Sequence, residues 1–208
     1  MTTNKTIYLI RHGQTDYNLK GIVQGSGIDS DLNETGKKQA QLFYETYQNV
    51  GFDHIYTSQL KRTHQSVAPF INNGHNWSQL EALNEINWGV FEGLESTPKS
   101  RKAFMDVVES WRNGHVDQPI EGGESPLEMY QRQQQGWDEI AQSSHTKILI
   151  CMHGRAMRSF LSLILGTHLS QMDQYPHTNL CLYQVEKNGE STCKLIVEND
   201  VNHLASLG

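Results

Sequence analysis

The length, composition and charge of the chain exclude several classes of protein. Its 208 residues include 23 acidic and 17 basic side chains, for a formal net charge of −6, which argues against a broad cationic surface for nucleic acid or anionic lipid and confines any anion site to a local patch. No apolar stretch approaches the roughly 20 residues that cross a bilayer, and residues 1–5 lack the apolar region of a signal peptide. We therefore expect one soluble, cytoplasmic domain over residues 1–208. We expect neither a nucleic-acid nor a membrane partner.

Three short apolar runs predict buried strands, and a helix follows each of them. Residues 7–10, 55–57 and 148–152 show little alternation with polar residues, as is typical of parallel strands covered on both faces. Helical periodicity follows the runs at Ala40, Phe43, Tyr44 and Tyr47, at Leu60, His64, Val67, Ala68 and Ile71, and at Met157, Phe160, Leu161 and Ile164. This order predicts an α/β fold, a three-layer α/β/α sandwich around a mostly parallel sheet.

The segment between the second and third runs is predicted to contain a further strand and a helical lid. Pro69 should kink or shorten the helix in which it lies, and residues 77–83 are predicted to form a strand. Residues 93–123 hold an amphipathic helix flanked by Pro and Gly, which we interpret as a lid that selects the substrate. The basic side chains at its surface fit a solvated helix face better than a substrate contact; they are Arg101, Lys102 and Arg112.

The C-terminal third is predicted to add one capped helix and a hairpin. Ser125, with Glu128 three residues later, forms a capping box for a helix that starts at Pro126. Residues 180–185 and 193–198 flank an Asn-Gly pair, which is a strong hairpin signal and implies an antiparallel addition to the sheet. The residues after this hairpin are expected to be loose.

Polar side chains are concentrated where the predicted strands end. Arg11 and His12 follow the first strand, Ser58 and Arg62 follow the second, and His153 follows the third. Because ligands bind at the carboxyl ends of the strands in open α/β sheets, we expect these side chains to converge at one edge.

This set of residue types meets the needs of phosphoryl transfer. Imidazole attacks phosphorus only when it is neutral, and cations beside His12 lower its pKa, so we expect His12 to be the nucleophile. Arg11 and Arg62 are expected to clamp the phosphoryl oxygens, because a guanidinium group donates two hydrogen bonds in one plane. Glu85 is expected to protonate the leaving oxygen, with Glu92 as a competitor for that role.

Neighbouring residues refine this prediction. Gly13 should leave room for phosphate near the backbone, and its carbonyl should fix the tautomer of His12. The pairing of His12 with His153 could instead indicate zinc, but without Asp or Cys at ligand spacing we expect no metal. Cys151, within an apolar strand, is expected to be an inert core residue.

The motifs around these residues resemble those of a known family. The run Leu-Ile-Arg-His-Gly-Gln-Thr-Asp-Tyr-Asn at residues 9–18 resembles the signature of the histidine phosphatase superfamily, in its phosphoglycerate-mutase-like branch. Further matches in the same order span nearly the whole chain, at residues 24–25, 31–40, 57–63, 85–93, 122–125 and 153–154.

The resemblance implies a role for each matching residue. His12 would become phosphorylated, the groups that bind the phosphoryl would be Arg11, Arg62 and His153, and Glu85 would be the proton donor. The further substrate-binding positions that it implies are Asn18, Gln24, Gly25 and Gly154. The implied reaction requires neither a metal nor a cofactor.

Departures from the mutase pattern favour hydrolysis. The classical mutases resemble a Glu-Arg-His-Tyr-Gly run where this chain has Glu85-Ile86-Asn87-Trp88-Gly89, and residues 93–123 lack their paired arginines and proline cluster. The resemblance therefore implies a phosphomonoesterase with a phosphohistidine intermediate, acting on a small metabolite such as a sugar phosphate or α-ribazole phosphate. The alternatives are a cofactor-dependent phosphoglycerate mutase and an inactive domain that binds phosphorylated ligands. A homodimer is one assembly that the sequence allows.

Overall fold

The computed structural model describes residues 4–189 and 192–207, and its strands form a single mixed sheet. The strands are β1 Lys5–Arg11, β2 His54–Thr57, β3 Trp77–Gln79, β4 Lys147–Met152, β5 Leu182–Lys187 and β6 Lys194–Asp200. Their order across the sheet is β3-β2-β4-β1-β5-β6. The pairs β1 with β4, β2 with β4 and β2 with β3 are parallel, whereas β5 is antiparallel to β1 and β6 is antiparallel to β5. The predicted parallel sheet with an antiparallel C-terminal addition is confirmed.

The α-helices cover both faces of this sheet. They are α1 Asp16–Lys20, α2 Glu34–Tyr47, α3 Lys61–Asn72, α4 Pro98–Arg112, α5 Pro126–Gln142 and α6 Gly154–Leu165. On one face, Ile10 and Leu149 pack with Phe43 of α2 and Phe70 of α3. On the other face, Leu9 and Ile150 belong to the same buried cluster as Trp137 of α5 and Phe160 of α6. Burial on both faces explains the continuous apolar runs and confirms the three-layer sandwich.

The parallel register brings the ends of three strands to one edge. Arg11 pairs with Met152, and Thr57 pairs with Cys151, so β1, β2 and β4 end at the same level. The residues that follow these strands therefore emerge side by side, as predicted.

Local signals explain where several helices begin. Ser125 accepts a hydrogen bond from the Glu128 amide, and the Glu128 carboxylate accepts one from the Ser125 amide at 2.8 Å, which confirms the predicted capping box. Thr97 caps α4 in the same way, with Pro98 in the first turn. This helix is the one within residues 93–123, and it buries Val108 and Trp111.

Two local expectations were wrong, and a third was wrong in part. Strand β3 stops at Gln79, and Glu81–Leu83 forms a 3-10 turn, because the spacing of Leu80 and Leu83 suits a turn that buries Leu83. Helix α3 is not shortened at Pro69 but continues to Asn72, since Phe70 is fully buried and packing outweighs the lost backbone hydrogen bond; the alternative expectation of a kink stays a prediction. Residues Asn202–Leu207 are not loose: they form a 3-10 helix whose His203 ring lies 5.2 Å from that of Phe43.

The remaining elements are short or lie at the hairpin. The other 3-10 segments are Gln48–Val50, Gly89–Phe91 and Leu169–Gln174. The hairpin is confirmed, but its first strand ends at Lys187 and its second begins at Lys194, so the connection is longer than the two-residue loop that an Asn-Gly pair favours.

Within the described ranges, no helix combines the length and the apolar character needed to cross a membrane.

Candidate active site

Four side chains that follow β1, β2 and β4 in the chain form what we call the floor of the site: His12, Ser58, His153 and, from the first turn of α3, Arg62. Each is at most 2% exposed. His12 extends the pairing of β1 with β4 by donating its amide to the Met152 carbonyl at 2.9 Å. The rings of His12 and His153 lie 5.2 Å apart between centroids. The structure thus brings the two histidines together, as the strand-end argument predicted.

The surroundings of His12 favour a neutral ring. Its Nδ1 donates to the Gly13 carbonyl at 2.7 Å, which leaves Nε2 without a proton in the neutral tautomer. Burial lowers the pKa of His12 well below its usual value, and the charges of Arg62 and Arg11 lower it further. An unprotonated ring nitrogen is therefore available beside two guanidinium groups, which confirms the expected effect of the cations and of the Gly13 carbonyl.

Gly13 itself is required for a reason that the sequence did not indicate. A Cβ at this position would lie 2.8 Å from the Gly36 carbonyl oxygen and 3.1 Å from its Cα. The Gly13 amide donates to Ser66 at 2.8 Å. The missing side chain therefore lets α2 approach the strand end, rather than opening space for phosphate.

Arg62 is held through all three of its nitrogen atoms. Nε donates to Nδ1 of His153 at 3.1 Å, Nη1 to the Ile28 carbonyl at 2.6 Å, and Nη2 to the Gly25 carbonyl at 3.1 Å. Burial lowers its pKa to about 10, so the side chain stays charged at neutral pH. The predicted site residues Gly25 and Arg62 are thus in direct contact.

His153 connects Arg62 to Ser58. Because its Nδ1 accepts from Arg62, its Nε2 carries the proton of the neutral ring and donates to the Ser58 hydroxyl at 2.8 Å. Burial and the neighbouring Arg62 lower the pKa of His153 well below its usual value, which keeps the ring neutral. His153 therefore orients the guanidinium group of Arg62 within the floor.

Arg11 extends from the floor into an open cleft of about 220 Å³. Its Nη1 donates to Nδ1 of His177 at 3.2 Å, and its buried Nε has no hydrogen-bond partner among the described residues. The other predicted residues that line this cleft are Asn18, Gln24, Glu85 and Gly154.

The side chains of Asn18 and Gln24 form hydrogen bonds within the loop that carries them. The side-chain oxygen of Asn18 accepts from the Thr15 backbone amide at 3.2 Å, and the backbone amide of Asn18 donates to the Thr15 hydroxyl. Gln24 donates to the same hydroxyl at 2.7 Å and accepts from Ser30 at 2.6 Å. Both side chains thus shape the wall of the cleft through Thr15.

Residues 81–92, which we call the acid loop, carry both candidate acids, and the structure separates their positions. The Glu85 carboxylate accepts from the amides of Arg155 at 3.1 Å and Ala156 at 2.8 Å, in the first turn of α6, where His153 supplies no side-chain cap. Glu85 lines the cleft. Glu92 instead accepts from the Trp88 amide at 2.9 Å and is not among the cleft residues, so its contacts are those of a loop anchor.

Arg132 of α5 holds the acid loop from behind, and sequence reasoning missed it. It donates to the carbonyls of Ala82 at 2.8 Å, Asn84 at 2.9 Å and Glu85 at 3.1 Å. It also forms an ion pair with Glu124 at 2.7 Å. Glu124 belongs to the matched motif at residues 122–125, so that motif supports the acid loop.

His177 and Asn179 were missed as well. Asn179 donates to the His12 carbonyl and to the Asn18 side chain, each at 3.0 Å. Both residues precede β5, and because β5 is antiparallel, the start of this strand lies at the edge where the parallel strands end. The predicted antiparallel hairpin could have indicated these two residues, because it places the residues before β5 at this edge.

The cysteines lie apart from the chemistry. Cys151, Cys181 and Cys193 are free and buried, and burial raises the pKa of the Cys151 thiol. The expected place of Cys151 in the core is confirmed, and a raised thiol pKa disfavours the reactive thiolate form. Over the described ranges there is no cluster of three or more His, Cys, Asp or Glu side chains that could hold a metal ion.

The family model of the histidine phosphatase superfamily (branch 1) matches residues 7–200. This chain belongs to that superfamily. With phosphatases among its relatives, it is an enzyme of the histidine phosphatase type.

Relatives of the chain carry both phosphatase and mutase names. A protein of Hydrogenobacter thermophilus named "Putative phosphoserine phosphatase 2" is 28% identical over 204 residues, which cover 98% of this chain and 99% of that protein. A "Probable phosphoglycerate mutase GpmB" of Erwinia tasmaniensis is 35% identical over 169 residues, or 77% of this chain and 74% of that one. The solved α-ribazole phosphatase from Shigella flexneri is similar in fold, with a TM-score of 0.80, 21% identity and coverage of 94% and 96%.

Proposed function

We propose that the protein hydrolyses phosphomonoesters in two steps through a phosphohistidine at His12. Nε2 of His12 attacks phosphorus and the bond to the leaving oxygen breaks; water then attacks the phosphohistidine and releases inorganic phosphate. Arg11 and Arg62 bind the phosphoryl oxygens, and His153 orients Arg62. The observation that carries this proposal is the buried neutral ring of His12 beside two guanidinium groups.

Glu85 is the proposed general acid of the first step and general base of the second. It lines the same cleft as Arg11, whereas the carboxylate of Glu92 accepts a hydrogen bond from the Trp88 amide of the loop. A carboxyl group that gives its proton to the leaving oxygen can recover one from the attacking water. Asn18, Gln24, Gly25 and Gly154 complete the proposed binding site.

The proposed substrates are small phosphorylated metabolites, handled in the cytoplasm without a metal. The cleft of about 220 Å³ suits a compact leaving group, and the relatives include proteins named for phosphoserine and α-ribazole phosphate. Residues 93–123 act in this proposal as a lid within a single domain, since Phe104 of α4 also lines the cleft. We also propose that the protein assembles as a homodimer.

Trapping the phosphoenzyme tests the proposed function. After mixing with 4-nitrophenyl phosphate and quenching in alkali, mass spectrometry should find an acid-labile phosphoryl group on the peptide that contains His12. His12→Ala should abolish this signal and lower turnover at least about a thousandfold. His168→Ala, which changes an exposed histidine, is the matched control and should behave as the wild type. Phosphate release without phosphorylation of His12 contradicts the mechanism, and absence of both turnover and phosphoenzyme favours the binding-domain alternative.

Phosphoglycerate mutase activity is the second candidate, because one relative with that name is 35% identical. A coupled assay with 3-phosphoglycerate, with and without the bisphosphate primer, separates the two activities. We expect phosphate release to exceed isomerisation under both conditions. Primer-dependent isomerisation that exceeds phosphate release would establish the mutase instead.

A further inference from the structure

A second group of arginines faces the cleft beyond Arg11. Arg155 and Arg158 lie on successive turns of α6 and both line the cleft. Each forms an ion pair with Asp173, at 2.6 Å for Arg155 and 2.5 Å for Arg158. Arg112 of α4 reaches the same carboxylate at 2.7 Å. Arg112 also pairs with Glu109 at 3.4 Å, so three guanidinium groups share two carboxylates and positive charge remains in excess at this end of the cleft.

These two arginines retain hydrogen-bonding capacity. Arg155 uses Nη1 for Asp173, and Arg158 uses Nε for the Tyr175 carbonyl and Nη1 for Asp173. Within the described part of the chain, Nε and Nη2 of Arg155 and Nη2 of Arg158 donate to no other group. The guanidinium carbon of Arg155 lies 5.6 Å from the centre of the Trp88 ring and 5.8 Å from that of Trp111, and these cation–π contacts restrict where the group can lie.

His177 joins this group to the phosphoryl site. Its Nδ1 accepts from Arg11, and its ring lies against Gly154, where an added Cβ would be 2.8 Å from His177 Cε1. Burial lowers the pKa of His177 to about 2, with Arg11, Arg158 and Arg155 as the next causes. His177 is thus a neutral ring on which the charges of Arg11, Arg155 and Arg158 all act.

We propose that Arg155 and Arg158 form a second anion subsite, which binds an acidic group on the leaving-group side of the substrate. The proposal rests on the proposed function and narrows it: the preferred phosphomonoester carries a second acidic group, a carboxylate or another phosphoryl, on a short skeleton. An excess of guanidinium groups over carboxylates, with free N–H donors in the cleft that Arg11 also lines, is the environment that such a group requires.

The basic residues on the exposed surface of α4 provide the contrast. Lys102 pairs with Asp106 at 2.7 Å, with both side chains more than 60% exposed, so one charge meets one opposite charge in water. Such pairs contribute little to binding a substrate. Arg155, in comparison, is 8% exposed and shares its carboxylate with two other arginines.

Two matched pairs of substrates test the proposal. 3-Phosphoglycerate and glycerol 3-phosphate differ by one carboxylate, whereas fructose 1,6-bisphosphate and fructose 6-phosphate differ by one phosphoryl group. We expect kcat/KM to be about tenfold higher for the more acidic member of at least one pair, as charge-assisted hydrogen bonds allow. The pair that shows the preference identifies which acidic group the subsite binds.

Variants assign the preference to the subsite. Arg158→Gln and Arg155→Gln should each lower the ratio of kcat/KM within the preferred pair about tenfold, mainly through KM. Lys102→Gln removes one positive charge from the exposed face of α4 and should leave the ratio unchanged. Because Arg155 packs against two tryptophans, Arg158→Gln provides the test if Arg155→Gln does not fold.

Binding measurements separate this proposal from the proposed function. Titration calorimetry of His12→Ala with 3-phosphoglycerate and glycerol 3-phosphate, and with the two fructose esters, should reproduce the preference, and His12→Ala/Arg158→Gln should lose it. Hydrolysis of all four esters with ratios near one, unchanged in Arg158→Gln, overturns the subsite and leaves the phosphatase proposal standing. Absence of hydrolysis together with preferential binding of the acidic esters overturns the phosphatase proposal and retains the subsite.

Discussion

The floor of the site and the acid loop hold their functional groups by different means. In the floor, side chains at neighbouring strand ends bind one another directly, from Arg62 through His153 to Ser58. In the acid loop, Glu85 is held by backbone amides of α6 and, from behind, by Arg132 of α5. The floor therefore depends on the sheet, whereas the position of Glu85, the proposed acid, depends on how two helices pack around a loop.

Removing the central cation of the floor should have the largest effect. Arg62→Ala is expected to lower kcat/KM about a hundredfold or more, because it removes a planar donor of the phosphoryl clamp. Arg62→Lys keeps the charge without the planar geometry and should restore only part of the activity. Steady-state kinetics with 4-nitrophenyl phosphate measures the effect, with Lys61→Ala as the adjacent exposed control. A loss of less than tenfold in Arg62→Ala would show that the floor does not bind the phosphoryl group.

Changing the acid itself should reduce the rate according to the leaving group. Glu85→Gln is expected to slow alkyl phosphates about a hundredfold and 4-nitrophenyl phosphate much less, because nitrophenolate leaves without protonation. Glu92→Gln is the matched control and should stay within about threefold of the wild type for both esters. If Glu92→Gln is the variant that discriminates between leaving groups, the acid has been assigned to the wrong end of the loop.

Removing the support behind the acid loop should give a weaker version of the same effect. Arg132→Gln loses the donors to the Ala82 and Asn84 carbonyls, so Glu85 is less well positioned. We expect kcat to fall about tenfold for alkyl phosphates and less for 4-nitrophenyl phosphate, a fraction of the full effect of the acid. Arg101→Gln, on the exposed face of α4, is the control. An equal loss for both esters would indicate general destabilisation rather than a positioning role.

Lowering the pH should weaken the floor through its histidines. Burial holds the pKa of His12 and His153 well below the ordinary value, so the folded state binds fewer protons than the unfolded state as the pH falls below about 6.5. The contribution of each histidine to the free energy of unfolding is fully present above about pH 6.5. Below that pH it decreases, by up to about 1.4 kcal/mol per pH unit for each histidine. Urea unfolding at about pH 7.5 and about pH 5.5 measures this difference.

Asp53 titrates below this window. Hydrogen bonds from Thr146 and Lys147 lower its pKa to about 2, so its contribution to the free energy of unfolding is lost as the pH falls from about 4 to about 2. Equal unfolding free energies at the two pH values would contradict the neutral, buried state of the floor histidines.

The fold and the floor were predictable because their signals are local. Apolar runs without alternation identify strands buried on both faces, and parallel strands place their carboxyl ends at one edge. His12, Arg62 and His153 could therefore be brought together from their positions alone. The capping box at Ser125 was equally predictable, since its partners lie three residues apart.

The supports of the site were not predictable, because they depend on distance in space rather than on spacing in the chain. Arg132 acts on residues some fifty positions away, and His177 reaches Arg11 across 166 positions. Packing likewise carried α3 through Pro69 and ordered Asn202–Leu207 against α2. Sequence alone determined which groups occupy the strand ends, since apolar runs identify the buried strands and the residues that follow each run lie at its carboxyl end. Only the tertiary structure decided how Glu85 is held and where positive charge accumulates, since both depend on side chains from separate helices and loops meeting in one cleft.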